Sequence, residues 1–246
     1  MFSFFSKKYF LVDYLKNFID IHNHILPGID DGPKTVEESV ELLKGFDELG
    51  IKSFIATPHV MPDYYDNNPE TIRGSLEQLR GELARQGMLD IAIEASAEYM
   101  IDHHFEEILE KGQIIPMRRQ YVLVEMSYLQ PPLNFDAAIR KAAFKSYTPI
   151  LAHPERYTFL HKDTAQYRRY KEMGVLFQLN MLSLSTYYGK TVQKMAHKLL
   201  EKNLIEFIAS DAHNTRQLKR IKEIQIDRHI WKQLLPVLEQ TTRFFY

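Results

Sequence analysis

Seven short apolar runs, at 18–24, 53–56, 91–93, 121–124, 149–152, 175–179 and 204–209, recur along the chain. Each carries or soon reaches a polar group: His22 and His24, His59, Glu98, Glu125, His153, Asn180, and Asp211 with His213. Most are separated by amphipathic stretches at helical spacing, such as Val36, Val40, Leu43 and Phe46, or Val192, Met195 and Leu199. Apolar strands alternating with helices predict a parallel sheet covered on its outer face. Seven such units in 246 residues leave no room for a second domain. The economical α/β arrangement is a distorted (βα)7 TIM-like barrel, which gathers every strand C-terminus at one mouth. An open doubly wound sheet is the alternative, and it would concentrate its site at one switch point. The barrel is expected as a single domain over 18–246. Residues 1–17 read as an N-terminal extension packed against that domain or a neighbour.

Local signals agree with this layout. Thr35 and Glu38 form a capping box ahead of the first helix, and Gly50 ends it. Asn68-Pro69 opens the next helix, and Gly87 closes it. Between Met100 and Pro116 only a short helix is expected, because Gly112 and Pro116 interrupt the pattern.

The chain has no cysteine, which excludes disulfides and every thiolate mechanism. Any metal must be held by nitrogen and oxygen ligands. A net charge of −1 supplies no field that would recruit nucleic acid or anionic membrane. The aromatic start is a poor signal peptide. No run approaches the ~18 apolar residues of a membrane span. A cytoplasmic protein without stable membrane insertion is the expectation.

Side chains alternate along a strand, so His22 and His24 point the same way, with Asp20 behind them on that face. Read alone, the pair could be structural. Gathering the other strand ends adds His59, Glu98, Glu125, His153, Asp211 and His213, and the loop after His24 returns Asp30 and Asp31. Several carboxylates cannot stay ionised in one cavity without cations. Carboxylates mixed with imidazoles therefore point to a polynuclear metal centre. Nine donors, counting Asp31 of the loop pair, suit three ions, spaced ~3.5–4 Å apart as in two-metal hydrolases. The remaining histidines, His103, His104, His161, His197 and His229, read as solvated.

The ordered set of motifs resembles the PHP (polymerase and histidinol phosphatase) superfamily. They are Asp20-Ile-His-Asn-His24, Ile29-Asp-Asp-Gly-Pro33, Thr57-Pro-His59, Ala97-Glu98, Val124-Glu125-Met-Ser127, Ala152-His153-Pro-Glu-Arg156 and Ala209-Ser-Asp-Ala-His213. Within that superfamily they are similar to the bacterial manganese-dependent protein-tyrosine phosphatases of capsule and exopolysaccharide loci. The resemblance implies a trinuclear site, of Mn2+ with Fe or Zn as alternatives. The ligands it implies are His22, His24, Asp31, His59, Glu98, Glu125, His153, Asp211 and His213, with Asp30 the understudy of Asp31. It also makes Arg156 catalytic, and a guanidinium at that loop suits bidentate grip on phosphate oxygens. Where many members carry Arg-Pro-Pro, this chain has Asn214-Thr-Arg216-Gln-Leu218, so Arg216 is a candidate for the same charge.

The chemistry expected is in-line attack on phosphorus by a hydroxide bridging two metals, with no covalent phosphoenzyme. The substrate implied is a phosphotyrosine protein, a bacterial tyrosine autokinase. Asn180 is expected behind the ligands or at the substrate. Of the loop tyrosines, Tyr64, Tyr65, Tyr128, Tyr157, Tyr187 and Tyr188, one or two would line the groove, with Tyr128 a substrate contact. Competing readings are a small-molecule phosphatase such as histidinol phosphatase, a phosphodiesterase, and a non-catalytic metal-binding module that docks the kinase. The oligomeric state is left open.

Overall fold

The computed structural model describes residues 8–246. The chain is an α/β fold built on parallel strands. Three of them, β2 (Ile19–Asp20), β3 (Ser53–Ala56) and β5 (Ala92–Ala95), form one sheet in the order β2-β3-β5. Six more, β4 (His59–Val60), β6 (Glu98–Met100), β7 (Tyr121–Glu125), β8 (Thr148–Ala152), β9 (Leu176–Asn180) and β10 (Phe207–Ala209), form a second, ordered β10-β9-β8-β7-β6-β4. Thr57 and Pro58 separate β3 from β4, and Ser96 and Ala97 separate β5 from β6, because Pro58 has no N–H for a ladder. Two bonds cross these breaks: Ser96 N–H donates to the Ala56 carbonyl at 2.8 Å, and Glu98 N–H to that of Pro58 at 3.0 Å. Beyond β10, Asp211 N–H donates to the His22 carbonyl at 2.8 Å and His24 N–H to that of Ala212 at 3.0 Å.

The helices α1 (Val36–Asp47), α2 (Pro69–Arg85), α3 (His103–Lys111), α4 (Phe135–Phe144), α5 (Ala165–Glu172), α6 (Lys190–Glu201) and α7 (Thr215–Lys222) follow the strands in turn. Thr35 caps α1 by accepting from Glu38 N–H, but Glu38 reaches one residue further back than a capping box requires, to Lys34 N–H at 2.7 Å. At α2, Asn68 and Thr71 cap one another reciprocally, and α3 stops at Gly112 in the left-handed conformation.

Two clusters make the core. The larger joins the helices to the strands. The smaller brings Ile19 and Ile55 of the three-stranded sheet against Leu123, Ile150 and Phe207 of the six-stranded one. Its lower end is stoppered by Phe245, from the last helix α8 (Arg228–Phe245), with its ring 5.0 Å from Phe207 and 5.5 Å from Tyr121.

The strand β1 (Lys8–Phe10) pairs antiparallel with β11 (Gln225–Asp227), which leads into α8. Leu11 and Leu15 just after it are fully buried, and Leu11 N–H donates to the Ile224 carbonyl at 3.0 Å. Residues 8–17 are therefore anchored to the core through Leu11 and Leu15. Residues 1–7, the rest of the N-terminal segment, lie outside the described residues. Among the described residues no helix is long and apolar enough to cross a membrane.

A buried leucine cut to alanine loses its transfer energy and leaves a cavity, costing about 2–5 kcal/mol. Leu11→Ala should lower the thermal midpoint by roughly 4–20 °C. An unchanged melting curve would show that this segment adds nothing to the core.

Candidate metal centre

The strand ends meet at one mouth. Every one of the nine sequence-nominated ligand residues falls in at least one of four overlapping groups able to hold an ion: His24, Asp31, His59 and His213; His22, His24 and Asp211; His22, Glu98 and His153; and His59, Glu98 and Glu125. In each group the donor atoms lie within 4.8 Å of one another. Glu98 sits at the middle, fully buried at the start of β6. Its Oε2 is 3.2 Å from His22 Nε2 and 3.1 Å from His59 Nδ1, while Oε1 is 3.1 Å from His153 Nε2. Asp211 Oδ1 lies 3.3 Å from His22 Nε2 and 3.4 Å from His24 Nε2. Asp31 is half exposed and closes the rim, with Oδ1 3.2 Å from His213 Nε2 and 3.6 Å from His59 Nε2.

The backbone is bent to achieve this. His153 and Asp211 have φ of 36° and 51°, the left-handed region that non-glycine residues avoid and that costs of order 1–3 kcal/mol each. Each bend comes immediately after the strand or within two residues of it, turning the ligand over the mouth. Gly32 lets the acidic loop fold back onto β2, since a Cβ there would lie 2.2 Å from the His24 carbonyl oxygen.

A second layer aims the donors. Gln178 Oε1, a pure acceptor, stands 2.8 Å from His22 Nδ1, so that nitrogen carries the proton and Nε2 faces the centre. Asp30 does the same for His24 from 2.7 Å, and also accepts from Gly32 N–H at 2.9 Å and His59 N–H at 3.2 Å. The neighbouring aspartates thus split their duties: Asp31 faces the centre and Asp30 stands behind it. Asn180, ending β9, donates to Asp211 Oδ2 at 2.7 Å. Asn67 donates to the carbonyls of Ile29 and His59 at 2.7 and 2.8 Å, tying the acidic loop to β4.

Charge is unbalanced here. Burial raises Glu125, and the Glu98 carboxylate beside it adds to the rise. Burial also works against ionised Glu98, yet His22 and His59 hold it well below the usual carboxylate range. His24 loses by burial but is lifted to about 10, chiefly by Asp30. His153, by contrast, is pushed down to about 4 by burial and by Arg156. Protons on the imidazoles and divalent cations are alternative answers to the same excess of carboxylate. The donors favour cations: His22 Nε2, His24 Nε2, His59 Nδ1, Glu98 Oε2 and Glu125 Oε1 are buried and make no aligned hydrogen bond, although they crowd as close as 2.9 Å between His59 and Glu125. They converge with only nitrogen and oxygen to offer, so the residues fit a metal cluster.

Arg156 stands over the cluster. Its Nη1 donates to Asp211 Oδ2 at 2.7 Å, and its guanidinium lies 4.2 Å from the centre of the Tyr188 ring and 4.9 Å from that of Tyr128. The cavity above has a volume of about 560 Å³. Tyr64, Tyr65 and Tyr128 line it; Tyr65 stacks on His59 and Tyr128 on His153. Tyr157 is buried instead and accepts Met126 N–H at 3.0 Å. Arg216 is exposed on the first turn of α7, outside the residues lining that cavity. Of the histidines read as solvated, His104, His161 and His197 are half-buried, and His161 Nε2 meets the Glu155 carbonyl at 2.8 Å.

Gln178 and Asn67 were not singled out by the sequence as working parts, whereas Tyr188 was among the loop tyrosines named for the mouth. Gln178 did carry a signal: a lone glutamine inside an apolar strand, on the same face as Asn180. Asn67 carried none, since its role is to bridge two loops that meet only in the fold.

Comparison with known proteins matches this arrangement. The family model described as capsular polysaccharide synthesis, CpsB/CapC, matches residues 18–232. The tyrosine-protein phosphatase YwqE of Bacillus subtilis is 32% identical over 199 residues, covering 80% of this chain and 78% of YwqE. The putative tyrosine-protein phosphatase CapC of Staphylococcus aureus is 30% identical over 214 residues, covering 86% and 84%. A crystal structure from work on YwqE and on CpsB from Streptococcus pneumoniae, metal-dependent tyrosine phosphatases, superposes with a TM-score of 0.77 at 30% identity, covering 92% of this chain and 94% of that one. Histidinol phosphate phosphatase from Lactococcus lactis shares the fold, with a TM-score of 0.56 at 15% identity, covering 88% and 94%. The chain belongs to the CpsB/CapC family of capsular polysaccharide synthesis and is a phosphatase of the PHP type.

Proposed function

We propose that this phosphatase hydrolyses phosphotyrosine on protein, using three Mn2+ ions, with Fe or Zn as alternatives. The observation that carries the reading is the convergence of buried donors that make no aligned hydrogen bond beneath a single held guanidinium. The four donor groups share His22, His24, His59 and Glu98, so ions held there would draw on common ligands, in keeping with a cluster rather than isolated sites. His22, His24, Asp31, His59, Glu98, Glu125, His153, Asp211 and His213 are the proposed ligands. Ions held there would supply Lewis acidity, lowering the pKa of a coordinated water and neutralising phosphoryl oxygens.

The chain's own residues do the rest. Arg156 is anchored through Asp211 and flanked by two tyrosine rings, leaving the rest of its fork for phosphoryl oxygens as charge builds in the transition state. Tyr128 and Tyr65 offer faces to an aryl ring. A phenolate leaving group, with pKa ~10, needs less protonation than an alkoxide. No thiol exists to form a cysteinyl phosphate, in keeping with direct attack by water. Arg216 is proposed to meet substrate from α7, and a bacterial tyrosine autokinase in the cytoplasm is the proposed partner. The two sheets are proposed to form one distorted seven-stranded barrel. The bonds from Asp211 and His24 across to the other chain segment, and the inner cluster drawn from both sheets, support closure.

The test is phosphate release from a phosphotyrosine peptide with Mn2+ restored after chelation. Arg156→Ala should retain its metal and lose about 10²–10³-fold in kcat/KM. Equal or faster turnover of histidinol phosphate would contradict the phosphotyrosine reading.

Asp30 makes a separate demand. If it orients His24, Asp30→Asn should weaken Mn2+ binding by about 10–100-fold, read by competition with a chelating indicator. Unchanged affinity would remove it from the support of the centre.

A further inference from the structure

The cavity over the metal centre does not spread evenly around the mouth. Its outer part lies over the ends of β4, β6 and β7, neighbouring strands in the six-stranded sheet. Met61 and Pro62 come from the loop after β4, Met100 from the end of β6, and Leu129 from the loop after β7. Tyr64 and Leu129 at the rim are 77% and 90% exposed, so apolar surface continues outward beyond what a phosphotyrosine ring would fill, with Asp102 and Ser127 the polar groups in that sector. Methionine is unbranched and adaptable, which suits a surface that must accept varied apolar side chains.

Resting on the phosphotyrosine reading above, we propose that this side of the mouth is a peptide groove that takes apolar side chains next to the phosphotyrosine. The occupant is an extended protein segment with its phosphotyrosine at the metals and aliphatic or aromatic neighbours against Met61, Met100 and Leu129. Continuity decides this: the groove opens directly from the cavity that Arg156 and His153 also line, so a chain entering with its phosphate at the centre must cross it. A compact small-molecule phosphate would leave these walls wet.

Two phosphotyrosine peptides of equal length and charge test the groove, one with leucine on both sides of the phosphotyrosine and one with glycine. The Mn2+-loaded enzyme should favour the leucine peptide by about tenfold or more in kcat/KM, the value of one or two apolar side chains buried. In the double variant Met61→Ser, Leu129→Ser that ratio should fall towards one. Because the ratio is internal to each protein, a reduced folded fraction cannot imitate its loss. Equal kcat/KM for the two peptides in the parent enzyme, or a ratio unchanged in the variant, would overturn the groove and leave phosphotyrosine hydrolysis standing. Phosphate release from neither peptide would overturn both readings.

Discussion

Five carboxylates and five imidazoles share one mouth, and most of them are withdrawn from water. Like charges at such distances raise each other's pKa, and an unpaired buried ion costs several kcal/mol. The fold tolerates the cluster only because counter-charge is always within reach, as protons on His24 and His59 or as cations in their place. The pairing of carboxylates with imidazoles is uneven: His59 Nδ1 stands 2.9 Å from Glu125 Oε1 and His153 Nε2 3.1 Å from Glu98 Oε1. The facing nitrogen of His24 has contacts of 3.4 and 3.6 Å to Asp211 and Glu98, too long for a good charge-assisted bond.

The rest of the architecture serves this charge cluster. Strands from both sheets bring ligands to one level, and His153 and Asp211 accept strained backbone to turn inward. Asp30, Gln178, Asn180 and Asn67 fix tautomers and loop positions, so little reorganisation is left for the moment of binding. Asp211 joins the two halves of the site, with one oxygen towards the imidazoles and the other towards Arg156. The guanidinium proposed to grip phosphate is thereby positioned by a carboxylate of the donor cluster. Phe245 plugs the opposite end of the inner core, which leaves the mouth as the place for exposed polar chemistry.

Much of this was legible in the residues because strand ends announce themselves: an apolar run followed by His, Glu or Asp is a local pattern, and it located every donor group the fold brings together except Asp31, which comes from the loop after His24. The division between Asp30 and Asp31 was not legible in the loop itself and came only from the family resemblance, since adjacent identical side chains are otherwise told apart by where the loop turns at Gly32. The two-strand pairing of β1 with β11 was also illegible, because it joins residues separated by nearly the whole chain and neither segment has a strong alternating pattern. Strand breaks at Pro58 and at Ser96 divide what read as continuous units, so nine short parallel strands stand where seven runs were seen. Half-buried His104, His161 and His197 were misjudged for a similar reason: burial by distant parts of the chain leaves no periodic trace.

The most direct test of the account is the number of manganese ions retained per chain after loading and removal of free metal, measured by elemental analysis alongside protein concentration. A shared-ligand cluster built on Glu98 and Asp211 predicts about three per chain, falling when Glu98 is replaced by glutamine. One ion per chain, or none, would contradict it.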